Sequence, residues 1–199
     1  KFRDHKADIL IGTQMISKGW DLPDLALVGI IEADALFSLP DYFTDEKGFQ
    51  LLLQLQGRLA RPNSRFQGSF LIQTFHPENK LIQLASEKNY GIFFQNQINQ
   101  RQTLQIPPFS KMLRLIFQDL KEEKAEKEAL RFFQVLQRKK LASVLISAPQ
   151  KAFLGKIRGR FRQQITLKLL KDADEESLKA LLSTLPSGWI IDVDPISLI

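Results

Sequence analysis

The stretch that most restricts the fold is Leu25-Ala26-Leu27-Val28-Gly29-Ile30-Ile31, an almost unbroken apolar run. A strand buried on both faces of a parallel sheet reads this way, whereas a half-solvated strand alternates. Upstream, Ala7 to Thr13, with Ile9-Leu10-Ile11 ending at Gly12, predicts another short strand. Downstream, Asp45 to about Arg61 has helical spacing, entered through Thr44 or Asp45 as a cap and left near Pro62-Asn63. Gly68 to Thr74 then returns as a strand. Strand, loop, strand, helix, strand is the order of an α/β unit.

A helical stretch is expected from about Pro77 to Gln105, with Pro77 and Glu78 in its first turn. It stops at Ile106-Pro107-Pro108-Phe109, a rigid extended break taken as a domain boundary. Beyond it the pattern predicts strands at Met112–Gln118, Val144–Ser147, Arg162–Leu170 and Trp189–Val193, and helices at Glu122–Gln137 and Glu175–Thr184. This is a small α+β unit, giving three segments: 1–75, a helical connector 76–106, and 107–199.

With 199 residues, 44% of them hydrophobic, the chain has enough apolar surface for a core. No run approaches the roughly 18 apolar residues of a membrane span, and no apolar stretch follows the charged start as in a signal peptide, so a cytoplasmic protein is expected. There is no cysteine, and His5 and His76 are the only histidines, which leaves no disulfide and no zinc or iron constellation. The formal charge of +6 favours an anionic partner such as nucleic acid.

Two segments stand out for chemistry. In Gln54-Leu55-Gln56-Gly57-Arg58-Leu59-Ala60-Arg61, a continuous helix puts Gln54, Arg58 and Arg61 within about 60° of one another, beside a stripe of Leu52, Leu55 and Leu59. Two permanently charged forks on one face suit a phosphate chain; the plainer reading is an amphipathic helix with a solvated basic side. The second segment, Gly12 to Pro23, is expected beyond the carboxyl end of a parallel strand, where open α/β sheets bind ligands. Gly12 and Gly19 permit close backbone approach to an anion, Thr13 offers a hydroxyl, Lys18 a point charge and Asp21 a carboxylate. An ordinary turn-rich connection is the alternative.

Together these segments resemble motifs V and VI of the second RecA-like lobe of superfamily 2 helicases, and in detail the family of replication-restart helicases named for primosomal protein N′ (PriA). The resemblance rests on Gly12-Thr13-Gln14-Met15-Ile16-x-Lys18-Gly19, Pro23-Asp24, Ala33-Asp34, Pro40-Asp41, Phe49-Gln50-Leu51-Leu52 and Gln54-x-x-Gly57-Arg58-x-x-Arg61. It continues through Gln73-Thr74, His76-Pro77, Pro107-Pro108-Phe109, Arg158-Gly159-Arg160-Phe161-Arg162-x-Gln164 and Asp192-Val193-Asp194-Pro195-Ile196. It implies that residues 1–75 are part of helicase lobe 2 and that 107–199 are a C-terminal domain similar to a small ribosomal-protein fold.

By the same resemblance, Arg61 is the arginine finger on the γ-phosphate of ATP, with Arg58 beside it, and Gln54 couples the nucleotide to the interlobe contact. Gly57 lies near the nucleotide and Asp21 near the nucleotide or the motif VI arginines, while Thr13, Lys18 and their loop touch the DNA backbone. The cofactor implied is ATP with Mg2+, held mostly by lobe 1, and the implied activity is 3′ to 5′ movement along DNA. Zinc is implied for the intact family but not for this chain. Implied partners are forked and single-stranded DNA, the tail of single-stranded DNA-binding protein and other primosome proteins, in the bacterial cytoplasm at the nucleoid, with no membrane role.

The sequence also departs from the family pattern. Ala60 replaces a glycine, Leu59 a small residue, and Phe43 stands where arginine is expected, which bears on cleft packing and on a DNA or nucleotide contact. No Gly-x-x-x-x-Gly-Lys-Thr phosphate loop, Asp-Glu-x-His motif or zinc-binding cysteine is present, so the chain reads as a C-terminal piece unable to hydrolyse ATP alone, either part of a motor or a non-catalytic DNA-binding scaffold.

In the second unit, Lys151, Lys156, Arg158, Arg160 and Arg162 with Phe161 interleaved combine phosphate neutralisation with a stacking ring, as single-strand or fork binding requires; a solvated basic hairpin is the alternative. Asp192 and Asp194 fall on one strand face, which suits solvated or arginine-paired carboxylates better than a metal. His76 is assigned to a helix entry.

Overall fold

The computed structural model describes residues 2, 6–17, 25–59 and 67–198. Two compact units, Lys1–Gln95 and Asn96–Ile199, divide within one helix.

In the first unit, β1 (Leu27–Ile30) and β2 (Ser69–Ile72) pair in parallel, with Val28 opposite Phe70 and Ile30 opposite Ile72. They are connected through α1 (Thr44–Gln56), and followed by α2 (Lys80–Ser86) and α3 (Tyr90–Thr103). Ile30, Phe70 and Ile72 point to one side and pack on Phe49 and Leu52 of α1, Ala85 of α2 and Phe93 of α3. Phe49 and Phe93 stack with ring centroids 3.8 Å apart. Leu27, Gly29 and Leu71 point the other way and are exposed. Among the described residues the packed helices cover one face of β1, so its apolar run is packed on that face rather than on the two expected.

Residues 7–13 form no strand: Thr13 leads into a 3-10 turn, Gln14–Ser17, and Ile9 and Ile11 are 78% and 86% exposed. A strand needs a neighbour to complete its ladder, and among the described residues β1 pairs only with β2. Phe43, rather than Thr44 or Asp45, occupies the N-cap position of α1, and makes no side-chain cap bond. The helix also ends earlier than its periodicity suggests. Beyond Gln56 the backbone tightens, Arg58 N–H donating to Leu55 O and Leu59 N–H to Gln56 O at 3.1 Å each, and Leu59 folds onto Gly68.

The expected single helix over 77–105 is two. Asn79 caps α2 by accepting from Leu81 N–H at 2.9 Å. Lys88 at φ 57° turns the chain, and Asn89 then accepts from Ile92 N–H at 3.2 Å in the first turn of α3. Apolar spacing runs through this corner, whereas the two asparagines mark it.

The second unit contains β3 (Lys111–Asp119), α4 (Glu122–Lys139), β4 (Val144–Ile146), β5 (Gln150–Ile157), β6 (Arg160–Leu169), α5 (Glu175–Leu182) and β7 (Trp189–Val193). The antiparallel sheet runs β4-β6-β3-β7, with β5 also on β6, the order of a split β-α-β-β-α-β unit. Leu113, Leu115, Ile165, Leu167 and Leu169 face Phe132 and Leu136 of α4 and Leu178 and Leu182 of α5. α4 buries Ala125, Ala129, Phe132 and Leu136 at helical spacing, with Glu122 and Glu123 in its first turn and Arg138 and Lys139 in its last, matching the helix dipole. Trp189 closes the core beside Phe117 and Phe132, its Nε1–H donating to Glu128 Oε1 at 3.2 Å.

β5 is absent from the sequence expectation. Its register with β6 breaks between Lys151 and Lys156, which destroys the alternation a strand is recognised by. No helix among the described residues is long and apolar enough to cross a membrane.

Candidate nucleotide and nucleic-acid sites

The end of α1 carries the first group. Gln54 is exposed on the last helical turn, Gly57 is the C-cap with its N–H bonded to Leu53 O and Leu55 O, and Arg58 is half-buried in the following turn. Gln54 and Arg58 therefore do not lie on one continuous helical stripe. The unwinding beyond Gln56 accompanies the burial of Leu59 and puts Arg58 in a turn rather than in the helix. Arg61 and Ala60 lie outside the described residues, as do Lys18 and Asp21. Thr13 is exposed, its hydroxyl accepting weakly from Met15 N–H at 3.5 Å, and the turn that follows it lies against α1. The two motif-like segments are thereby neighbours. Leu59 reaches Gly68 and the Leu25 carbonyl lies beside it, so this end of α1 meets the amino ends of β1 and β2.

At the opposite, carboxyl ends of those strands lies an interaction that the sequence reading does not single out. Asp34 Oδ1 accepts from Thr74 Oγ1–H at 2.7 Å, and Oδ2 from Phe75 N–H at 2.9 Å. Gln73 answers from the other strand: its backbone carbonyl accepts from Ala33 N–H at 2.9 Å and its side-chain oxygen from Glu32 N–H. Glu32 sits at φ 56°, a left-handed conformation held by these bonds. The Thr74 hydroxyl and then the Phe75 amide hold the Asp34 carboxyl below its ordinary pKa. His76 hydrogen-bonds Glu78 through Nδ1 at 3.2 Å. The cue in the sequence is Ala33-Asp34 together with Gln73-Thr74, segments far apart in the chain.

The basic run of the second unit is a β-hairpin. Lys156 pairs with Phe161 and Ile157 with Arg160, leaving Arg158 and Gly159 as a two-residue loop. Both have positive φ, 49° and 80°, as a type I′ turn requires. Lys156, Arg158 and Arg160 are exposed around this tip. Phe161 is half-buried, with Lys156 Nζ 4.4 Å from its ring centroid. Lys151 is ion-paired to Glu122 at 2.6 Å.

Arg162 lies farther along β6, on the face away from the helices. Its Nη1 donates to Leu154 O at 3.3 Å, and burial, then the Arg114 charge, lower its pKa from the ordinary guanidinium value. Arg114, on the same face, pairs with Asp192 at 2.9 Å, so this carboxylate is arginine-paired. Asp194 accepts from Met112 N–H at 3.1 Å through Oδ1.

Comparison with known proteins matches residues 102–196 to the family described as primosomal protein N C-terminal domain. Over the whole chain, the replication restart protein PriA of Synechocystis is 33% identical across 201 residues. The PriA of Bacillus subtilis is 35% identical over 91% of this chain, and that of Borreliella burgdorferi 32% over all of it. The chain matches the C-terminal portion of PriA. It spans 24%, 22% and 31% of the length of these three relatives, respectively. The PriA match includes the first unit with its parallel pair and α1, upstream of the region covered by the C-terminal-domain family.

Proposed function

We propose that this chain is the distal part of an ATP-dependent 3′ to 5′ DNA helicase of replication restart. In this reading residues 1–75 are part of a RecA-like second lobe, 76–106 a helical connector, and 107–199 a domain for DNA and protein partners. The observation that carries the reading is the extent of the similarity: the PriA relatives align with the first unit as well as the second. The parallel β1–β2 pair joined through α1, with the Gln14–Ser17 turn against that helix, supports it.

The residues present fit a contact contributed to a nucleotide bound elsewhere. Arg58 offers a permanently charged fork on a turn, while this sequence has no phosphate loop of its own. Bound ATP with Mg2+ supplies the phosphoanhydride whose hydrolysis drives the cycle. Arg61 stabilises charge developing on the γ-phosphate with Arg58 beside it, Gln54 couples the nucleotide to the interlobe contact, and Gly57 and Asp21 lie on the nucleotide side, Asp21 next to the nucleotide or the arginines. Thr13 and Lys18 contact the DNA backbone. In the second unit Lys156, Arg158, Arg160, Phe161 and Arg162 engage fork and single-stranded DNA, and the domain also receives single-stranded DNA-binding protein and other primosome components.

The test is Arg61→Ala in the intact protein, with fork-stimulated ATP hydrolysis as readout. Turnover is expected to fall about 10³-fold with fork affinity retained. Activity within a few-fold of wild type removes the finger role. An intact protein that binds forks but shows no DNA-stimulated hydrolysis supports the scaffold reading.

A further inference from the structure

Between Lys151, opposite Gln163, and Lys156, opposite Phe161, β5 places four residues against the single Arg162 of β6. The surplus residues make a bulge in the pairing. Within it Ala152 is buried, while Phe153 and Leu154 are 52% and 55% exposed. The Arg162 guanidinium fastens the bulge through the Leu154 carbonyl at 3.3 Å. Bulges re-aim side chains, and here the ones re-aimed outward are a phenyl ring and an isobutyl group. They lie in a hairpin, 150–164, with five cations and no carboxylate.

We propose that the Phe153–Leu154 knuckle is the base-contacting element of this hairpin, receiving an unpaired base of a single strand whose phosphates lie on the flanking cations. The proposal rests on the reading of the hairpin as a nucleic-acid site. Exposure favours Phe153 over Phe161 for the base. Phe161 is half-buried and carries the Lys156 ammonium over its ring, whereas more than half of the Phe153 surface faces solvent. Lys151 is paired to Glu122, but Lys156, Arg158 and Arg160 stay exposed farther along the same hairpin, and an apolar residue in a hairpin with such cations suits a ligand with a flat apolar body and a charged strand attached, which describes a nucleotide chain. Duplex DNA keeps its bases stacked inside and offers the knuckle no such surface.

The experiment measures binding of the intact protein to a dT oligonucleotide across a salt series, for wild type, Phe153→Ala, Phe153→Trp and Arg158→Ala/Arg160→Ala/Arg162→Ala. Phe153→Ala is expected to weaken binding about tenfold with an unchanged salt slope, because stacking releases no counterions. Phe153→Trp restores affinity, and its added fluorescence is quenched by the oligonucleotide. Thermal melting of both variants should match wild type, since the side chain is largely exposed.

If Phe153→Ala binds normally while the triple variant loses affinity and slope, the knuckle is excluded and the hairpin reading survives. If the triple variant also binds normally, both fall. Added fluorescence in Phe153→Trp that responds to an acidic peptide and not to dT assigns the knuckle to a protein partner and overturns the proposal.

Discussion

Asp34 is held by donors from a segment 40 and 41 residues away, Thr74 Oγ1–H and Phe75 N–H, and it thereby ties the loop after β1 to the loop after β2. Both bonds favour the ionised carboxyl, so its folded pKa lies below the unfolded value. The stabilisation is complete above the ordinary carboxylate range, near about pH 4, and is lost as pH falls through the lowered folded value. Asp34→Asn retains one acceptor but turns an amide N–H₂ toward the other donor. It is expected to lower the melting temperature of the first unit at neutral pH, and the gap to wild type should close on acidification. A gap that stays constant from neutral pH to below about pH 3 would show that the carboxylate charge contributes nothing. Glu128, Glu78 and Glu175 also have lowered pKa values, so only the difference between variant and wild type isolates Asp34.

At the level of elements, the β5–β6 hairpin places Arg158 at φ 49° in the first position of a type I′ turn, where asparagine fits with least strain. Arg158→Asn is therefore expected to raise the melting temperature of the second unit while weakening oligonucleotide binding, a trade of stability for charge. Loss of both stability and affinity would mean that the arginine supports the turn itself. The same hairpin explains where sequence reading stops. α4 is legible because it expresses one period without interruption, Ala125-Ala129-Phe132-Leu136, and β7 because Trp189 to Val193 is a short β-branched and aromatic run, although its burial does not alternate. β5 is not, since its bulge abolishes alternation. The end of α1 is hidden for a related reason: Leu59 keeps helical spacing in the sequence, yet it is buried against Gly68 from a turn that has already left the helix. Of the candidate site residues, the basic cluster is legible from charge alone, whereas the Asp34–Thr74 bond depends on a tertiary pairing 40 residues long.

For the molecule as a whole, the question is whether its positive charge acts as a diffuse attraction or from one place. Replacing Arg158, Arg160 and Arg162 by alanine removes half of the formal charge of +6. So does replacing Lys121, Lys124 and Lys127, which are exposed at and along the first turns of α4. A diffuse field makes the two triple variants equivalent, because long-range attraction depends on net charge and is screened within about 10 Å at 0.1 M salt. Local phosphate neutralisation makes them different. Each lost single-strand phosphate contact reduces the slope of log affinity against log salt by about 0.7, so the arginine variant should show a slope shallower by about 2. The lysine variant should keep the wild-type slope, with at most a small uniform loss of affinity at low salt. The ratio of wild-type to arginine-variant affinity should shrink as salt rises, since the contacts removed are those that salt competes with. Parallel slopes for all three proteins would locate the DNA contacts away from the hairpin and leave the basic tip as a solvated turn.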